Sequence, residues 1–217
     1  MVGQGVLREC LLDSTVERVL SVGRSGTGRT DPKLKELLRK DLFDLSGLDA
    51  ELRGYDATFF CLGVTSAGKT EADYRRVTYD LTVSVAQSLA PLNPGMTFVY
   101  VSGAGTDSTE HGRTMWARVK GATENALLRM PFRAAYMFRP GVIQPRHGIH
   151  SRTTAYRILY VVLAPVVWLA KTLSPDSITT TETMGRAMIR VAANGAPTRL
   201  LGTREINRLA RSEVPSA

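Results

Sequence analysis

Thr97-Phe98-Val99-Tyr100-Val101-Ser102-Gly103-Ala104-Gly105 decides the fold. Five residues rich in β-branched and aromatic side chains predict a strand, and the small residues after them release the chain. A helical stretch over residues 113–129 follows, then a second apolar strand over 134–138, broken by Arg139-Pro140-Gly141. Strand, helix, strand in that order is the βαβ unit of a parallel sheet.

Outward from that unit the same alternation continues. Residues 55–62 read as a strand whose Phe59, Phe60 and Cys61 form a continuous buried run, the pattern of an interior parallel strand. Residues 72–89 carry helical periodicity through Val77, Leu81, Val85 and Leu89, ending before Pro91, with a turn at Pro94-Gly95. Nearer the start, residues 18–22 form a short strand ending at Gly23-Arg24, a polar loop covers 25–32, and residues 37–42 make a weak strand closed by Asp41. Val6, Leu7, Cys10 and Leu11 share one helical face within 5–12. At the other end come a helix over 181–193, a strand near 199–201 and a terminal helix. No repeat or domain boundary interrupts this. The expectation is one α/β domain over 1–217, a Rossmann-like doubly wound parallel sheet, with a substrate-side C-terminal region from about residue 144.

Composition bounds the function. At 217 residues, 43% hydrophobic and 22% charged, the chain can bury a substantial core, which excludes a disordered tail, a collagen-like fibre and a disulfide-stapled mini-protein. A net charge of +8 would suit nucleic acid, an anionic membrane or a phosphorylated ligand. However, Arg8, Arg18, Arg24, Arg39, Arg53 and Arg75 fall on separate predicted elements, with no zinc-finger spacing, basic recognition helix or aromatic-rich strand, so no nucleic-acid partner is expected. Cys10 and Cys61 lie in apolar runs without metal-ligand spacing and read as buried thiols of a reducing compartment, hence a cytoplasmic protein. His147 and His150 lack a nearby Cys or carboxylate to complete a ligand set, so no metal is expected. The first ten residues lack the apolar core of a secretory signal. Residues 158–170 are too short to span a bilayer and contain Pro165; they read as a buried or lid-forming helix, with a peripheral membrane contact as the alternative.

Several short motifs then stand in a telling order: Met1-Val2-Gly3, Gly23-Arg24, Asp41-Leu42, Cys61-Leu62-Gly63, Ser102, Trp116-Ala117-Arg118-Val119-Lys120 and Arg139-Pro140-Gly141. In that order and spacing, over nearly its whole length, the chain resembles the short-chain dehydrogenase/reductase superfamily. It is most like the atypical NAD(P)-binding epimerase/dehydratase branch that includes Tat-interacting-protein-like oxidoreductases. The resemblance implies a nicotinamide dinucleotide at the carboxyl ends of the strands. Gly3 matches the last glycine of the family's Gly-x-x-Gly-x-x-Gly loop; the preceding strand and two glycines have no counterpart. A buried five-residue strand would contribute roughly 1.5–3 kcal/mol per side chain, so its lack leaves two sheet edges unpaired. The expectation is therefore a natural chain that begins upstream; the alternative is a shortened member that binds no cofactor.

The resemblance implies further roles. Arg24 stands where the family places a ribose-binding acid or a phosphate-binding Arg, which favours NADP(H), with NAD as the alternative. Asp41 and Leu42 match an adenine-contacting pair, Leu62 and Gly63 a segment lining the cofactor, and Pro140 the nicotinamide end; each also reads as strand or turn punctuation. Ser102 and Lys120 match two members of the catalytic Ser, Tyr, Lys set, with Lys120 also holding the nicotinamide ribose. The tyrosine position, four residues before Lys120, holds Trp116. Indole donates a hydrogen bond but does not titrate usefully, so His111 in the preceding loop is a substitute proton carrier, or a plain surface residue. The leading function is NADP(H) binding with oxidoreductase or epimerase-like chemistry on a small carbonyl or hydroxyl compound. The alternative is a non-catalytic NADPH-sensing or scaffold protein with a protein or membrane-surface partner.

Overall fold

Period-two alternation along the two central strands sets the layers. Phe98, Tyr100, Ala135 and Met137 face one core, whereas Val99, Val101, Tyr136 and Phe138 face another. Strands apolar on both sides must be covered on both, and helices do this here.

The computed structural model describes residues 1–149 and 178–212. In chain order the elements are α1 (Val2–Leu12), β1 (Val19–Gly23), β2 (Leu34–Leu38), α2 (Asp49–Leu52), β3 (Ala57–Phe60) and α3 (Glu71–Arg75). A π turn (Arg76–Asp80) joins α3 to α4 (Leu81–Leu89). Then come β4 (Thr97–Val101), α5 (Met115–Leu128), β5 (Ala134–Arg139), β6 (Val142–Gln144), β7 (Ile178–Thr180), α6 (Thr181–Asn194), β8 (Leu200–Gly202) and α7 (Thr203–Arg211). Among the described residues every strand pair is parallel. The main sheet has the order β3-β4-β5-β8, beside a β1-β2 ladder and a short β6-β7 ladder.

One face is covered by α1, α6 and α7, which pack Val6, Cys10, Met184, Met188, Val191 and Ile206 onto Val99, Tyr136 and Phe138. The other face carries Ala86, Leu89 and Leu127 together with Leu45, Leu48 and Leu52, against Phe98, Tyr100 and Met137. The expected doubly wound α/β architecture is present. Backbones of α1 and α6 approach closely: a Cβ on Gly5 would lie 2.7 Å from the Thr181 carbonyl oxygen. Only glycine fits there.

Several local expectations shift. The strand expected over 37–42 lies at Leu34–Leu38, where Lys35 and Glu36 are exposed and mask an edge strand as loop. Within β3 only Phe60 is buried; Ala57, Thr58 and Phe59 are half-buried, because among the described residues β3 pairs with β4 alone. Likewise β1 pairs only with β2, so the sheet divides between β1 and β3, and α1 packs against both. Along residues 71–89 the buried line is Tyr74, Thr78, Thr82, Ala86 and Leu89, with Val77, Leu81 and Val85 half-buried. Two threonines therefore hold core positions, and Thr82 Oγ1 donates back to the Thr78 carbonyl. The pieces α2, β6 and β7 carry only three or four residues each and no periodicity to read. The stretch 158–170 and His150 lie outside the described residues. Among the described residues no helix is long and apolar enough to cross a membrane.

Candidate functional site

Four elements meet at the carboxyl end of β4. Ser102 leaves the strand buried, its N–H donating to the Phe138 carbonyl at 2.9 Å and its Oγ to the same oxygen at 3.2 Å. Gly103 follows at φ +140, a conformation that glycine alone adopts readily. The turn closes when the Ala104 N–H donates to the Pro140 carbonyl at 2.9 Å. Ser102–Ala104 thus lies along the end of β5, gripped at Phe138 and Pro140.

From the other side Lys120 reaches in from α5. Its Nζ donates to the Ser102 carbonyl. Burial pushes the ammonium down to about 8, partly offset by the Glu124 carboxylate one turn further along the helix. A Cβ on Gly103 would stand 4.0 Å from Nζ and 3.9 Å from the Pro140 oxygen, so the glycine leaves that corner open. Ser102 and Lys120, paired by the sequence reading, are brought into contact. Ser102 Oγ is directed at backbone, whereas Lys120 retains donors beyond the one it uses.

Trp116, one turn before Lys120, lies on the loop: its Cη2 would be 3.4 Å from a Cβ on Gly105. The indole fills the space between the start of α5 and the Ser102 loop. His111 is exposed on a turn organised by Asp107, whose carboxylate accepts from Thr109 Oγ1 (2.7 Å) and the Gly112 N–H (2.6 Å). Those bonds, the Thr109 hydroxyl foremost, hold Asp107 below the usual carboxylate range. The Asp107 carbonyl lies against Gly121, where a Cβ would meet it at 1.7 Å. The turn therefore seats directly on α5.

The remaining site residues sit at strand ends. Arg24 is exposed after β1. The Asp41 carboxylate accepts the Phe43 N–H at 2.9 Å, making a local turn, and Leu42 is buried. Leu62 is 43% exposed and Gly63 has open space about it. Gly3 lies in the first turn of α1, which has no side-chain cap, and a Cβ there would stand 3.4 Å from Cys61 Cβ. Pro140 is buried, with its carbonyl engaged as above.

One residue, Glu124, and one contact, His147 with Glu182, escaped the sequence reading. Glu124 is fully buried and pairs with Arg139. The spacing Lys120-x-x-x-Glu124, one helical turn, was the visible signal. His147, read as lacking a carboxylate, has one: Nε2 lies 2.9 Å from Glu182 Oε2, a residue distant in sequence. Among the described residues no three His, Cys, Asp or Glu gather as a metal site. Both thiols are free, and burial raises each to about 12.

No family model matches the chain. Among curated proteins it is similar to "Protein FMP52, mitochondrial" of Chaetomium globosum, 26% identical over 223 residues, covering 98% of this chain and 94% of that one. It is also similar to "Protein fmp52-2, mitochondrial" of Aspergillus oryzae, 28% identical over 148 residues, 67% of this chain and 64% of that one. Both relatives are named mitochondrial, which overturns the cytoplasmic expectation. Unpaired thiols persist in any reducing compartment and do not discriminate between them.

Among solved structures, the Bordetella bronchiseptica enzyme WbmF in complex with NAD+ aligns with TM-score 0.63 at 15% identity, over 96% of this chain and 73% of that one. UDP-glucuronic acid 4-epimerase from Bacillus cereus in complex with NAD aligns with TM-score 0.65 at 11% identity, over 93% and 74%. At such identities the likeness is one of fold, the Rossmann-like α/β sheet.

Proposed function

We propose that the chain binds a nicotinamide dinucleotide across the carboxyl ends of its strands, and that it acts in mitochondria as an oxidoreductase or epimerase-like enzyme on a small carbonyl or hydroxyl compound. The observation that carries this reading is Lys120: a mostly buried ammonium, held on the Ser102 carbonyl beside an open glycine corner, with donors to spare. An ammonium in that position suits the hydroxyls of a ribose. The first turn of α1, beside Cys61 and the open Gly63, suits phosphate oxygens, because the first N–H groups of a helix have no acceptor within it. The residues present therefore fit the group. NAD-complexed enzymes among the fold's neighbours support the same class of ligand. Arg24, exposed at the tip of β1 where a carboxylate would repel a 2′-phosphate, favours NADP(H).

Hydride chemistry, when such a cofactor is bound, is the cofactor's own. What this chain supplies is position and a proton. With indole at position 116, Lys120 is the group at the Ser102 corner that titrates near neutrality, and it can hold or release a proton there. Binding should be measured by calorimetry with NADPH, NADP+, NADH and NAD+. Lys120→Met should weaken the tightest of them about tenfold or more, in line with one charge-assisted hydrogen bond. Equal affinity in that variant sinks the assignment.

A second reading rests on Trp116 packed over Gly105. A non-titrating ring at that place suits a protein that binds the dinucleotide and signals or scaffolds without turnover. Binding without consumption of NADPH across a carbonyl panel would favour it.

A further inference from the structure

Glu124 is the largest charged side chain wholly shut off from solvent among the described residues. Both of its oxygens engage one edge of the Arg139 guanidinium: Nε lies 3.0 Å from Oε1 and 3.2 Å from Oε2, and Nη2 donates to Oε2. Nη2 also donates to Ser108 Oγ at 2.5 Å. Arg139 is the last residue of β5, and its two chain neighbours grip the Ser102 turn: Phe138 through Ser102, Pro140 through Ala104. Lys120 grips the same turn from α5, one helical turn before Glu124.

These contacts close a ring that runs Ser102, Lys120, Glu124, Arg139, Phe138 and back to Ser102. Each link is a hydrogen bond, an ion pair or a short piece of helix or strand. Without the Glu124–Arg139 link, α5 and the end of β5 would still pack, but the polar tie between them would run only through the Ser102 turn and leave the Lys120 end of the helix less firmly fixed. A buried ion pair is a poor device for stability, since well-packed apolar residues of similar volume do as well or better. Its use lies in fixing geometry. We propose that Glu124, acting through Arg139, is a positioning residue that sets where the Lys120 ammonium meets the Ser102 turn, and so governs dinucleotide binding without touching the dinucleotide.

The inference rests on the reading of Lys120 given above. The charged groups around the ammonium are Glu124 on its own helix and, through that carboxylate, Arg139 from β5. Two variants separate positioning from mere support. In Glu124→Leu/Arg139→Leu the pair is replaced by apolar side chains, and the melting temperature should be kept within a few degrees. Its NADPH affinity at pH 7 should nevertheless fall about tenfold or more. In Glu124→Gln the carboxylate that helps hold the Lys120 proton is gone, so the upper pH limit of NADPH binding should move to lower pH. Glu124→Asp should restore part of that shift.

A stable double variant with wild-type affinity overturns the proposal, as does a pH limit unmoved in Glu124→Gln. If the wild-type protein binds neither NADPH nor NADH, the reading of the site falls and this inference with it. Binding that survives in the double variant removes this inference alone.

Discussion

The Lys120 ammonium donates to the Ser102 carbonyl from a position where burial has lowered its pKa to about 8, against 10.5 for a free lysine. Below pH 8 both folded and unfolded chains hold this proton, and the folded state bears the whole cost of the buried charge. Between about 8 and 10.5 the unfolded chain binds more protons, so this group's contribution to stability improves as pH rises. Complete relief is worth roughly 3 kcal/mol. Lys120→Met should therefore raise stability at pH 7 by about 1–2 kcal/mol, once the lost hydrogen bond is set against it. Urea denaturation at pH 7 and pH 9.5 checks this: the advantage of the variant should shrink at the higher pH. A constant difference would show that the charge is not the cause.

Trp116 lies over Gly105 one helical turn from Lys120, so a side chain at 116 and the ammonium address the same corner. Trp116→Tyr brings a titrating hydroxyl to that corner. Positioned proton transfer typically contributes 10²–10⁴-fold. NADPH consumption with a panel of small carbonyl compounds should rise about 10²-fold in this variant, at a loss of about 1 kcal/mol from thinner packing on Gly105. Unchanged turnover in a folded variant would mean that the position does not face the reacting carbonyl.

Gly121 sets two general effects against each other. Helix propensity says that alanine in the middle of α5 should stabilise by about 1 kcal/mol. Yet a Cβ there would meet the Asp107 carbonyl oxygen at 1.7 Å, and backbone does not give way cheaply. The clash wins: Gly121→Ala should destabilise by about 3 kcal/mol. It should also loosen the Asp107 turn, visible as faster amide exchange at Thr109 and Gly112, whose N–H groups donate to the Asp107 carboxylate. A gain in stability would refute the close seating of the turn.

Much of this fold could be read in advance because its central strands carry their own signal. Residues 97–101 and 134–138 are apolar on both faces, and the helices around them have one clear face each; β4 lies where expected and β5 runs one residue further. The misread pieces were those where charge or tertiary context outweighs pattern. The edge strand β2 hides behind Lys35 and Glu36, and the line Tyr74, Thr78, Thr82 is buried despite its hydroxyls. In the site, Ser102 and Lys120 were singled out only through the family resemblance, and the structure brings the two into contact. Arg139 was seen only as part of a turn, because its partner is fifteen residues away and a local motif does not show which carboxylate a guanidinium will meet. His147 and Glu182, thirty-five residues apart, escaped for the same reason.

On the proposed function, Arg24 is the residue expected to choose between the two dinucleotides. It stands exposed at the carboxyl end of β1, followed by a loop in which the Thr27 N–H donates to Glu36 Oε1 at 2.6 Å. That bond turns the loop back over β2 and leaves the guanidinium at the strand tip, where the only difference between NADPH and NADH, a 2′-phosphate, would be met. A bidentate guanidinium–phosphate contact is worth about 1.5–3 kcal/mol, or about 10–150-fold in affinity. Arg24→Gln should lower NADPH affinity by that factor and leave NADH nearly unchanged. Arg24→Asp should go further, adding repulsion of the phosphate and an acceptor for a free ribose hydroxyl, so that NADH becomes the tighter ligand. Competition calorimetry at two salt concentrations checks both, because added salt should weaken NADPH binding more steeply than NADH binding, the 2′-phosphate being the extra charge. If both variants keep the wild-type preference, the selecting group is elsewhere, and Arg24 is a solvated surface charge.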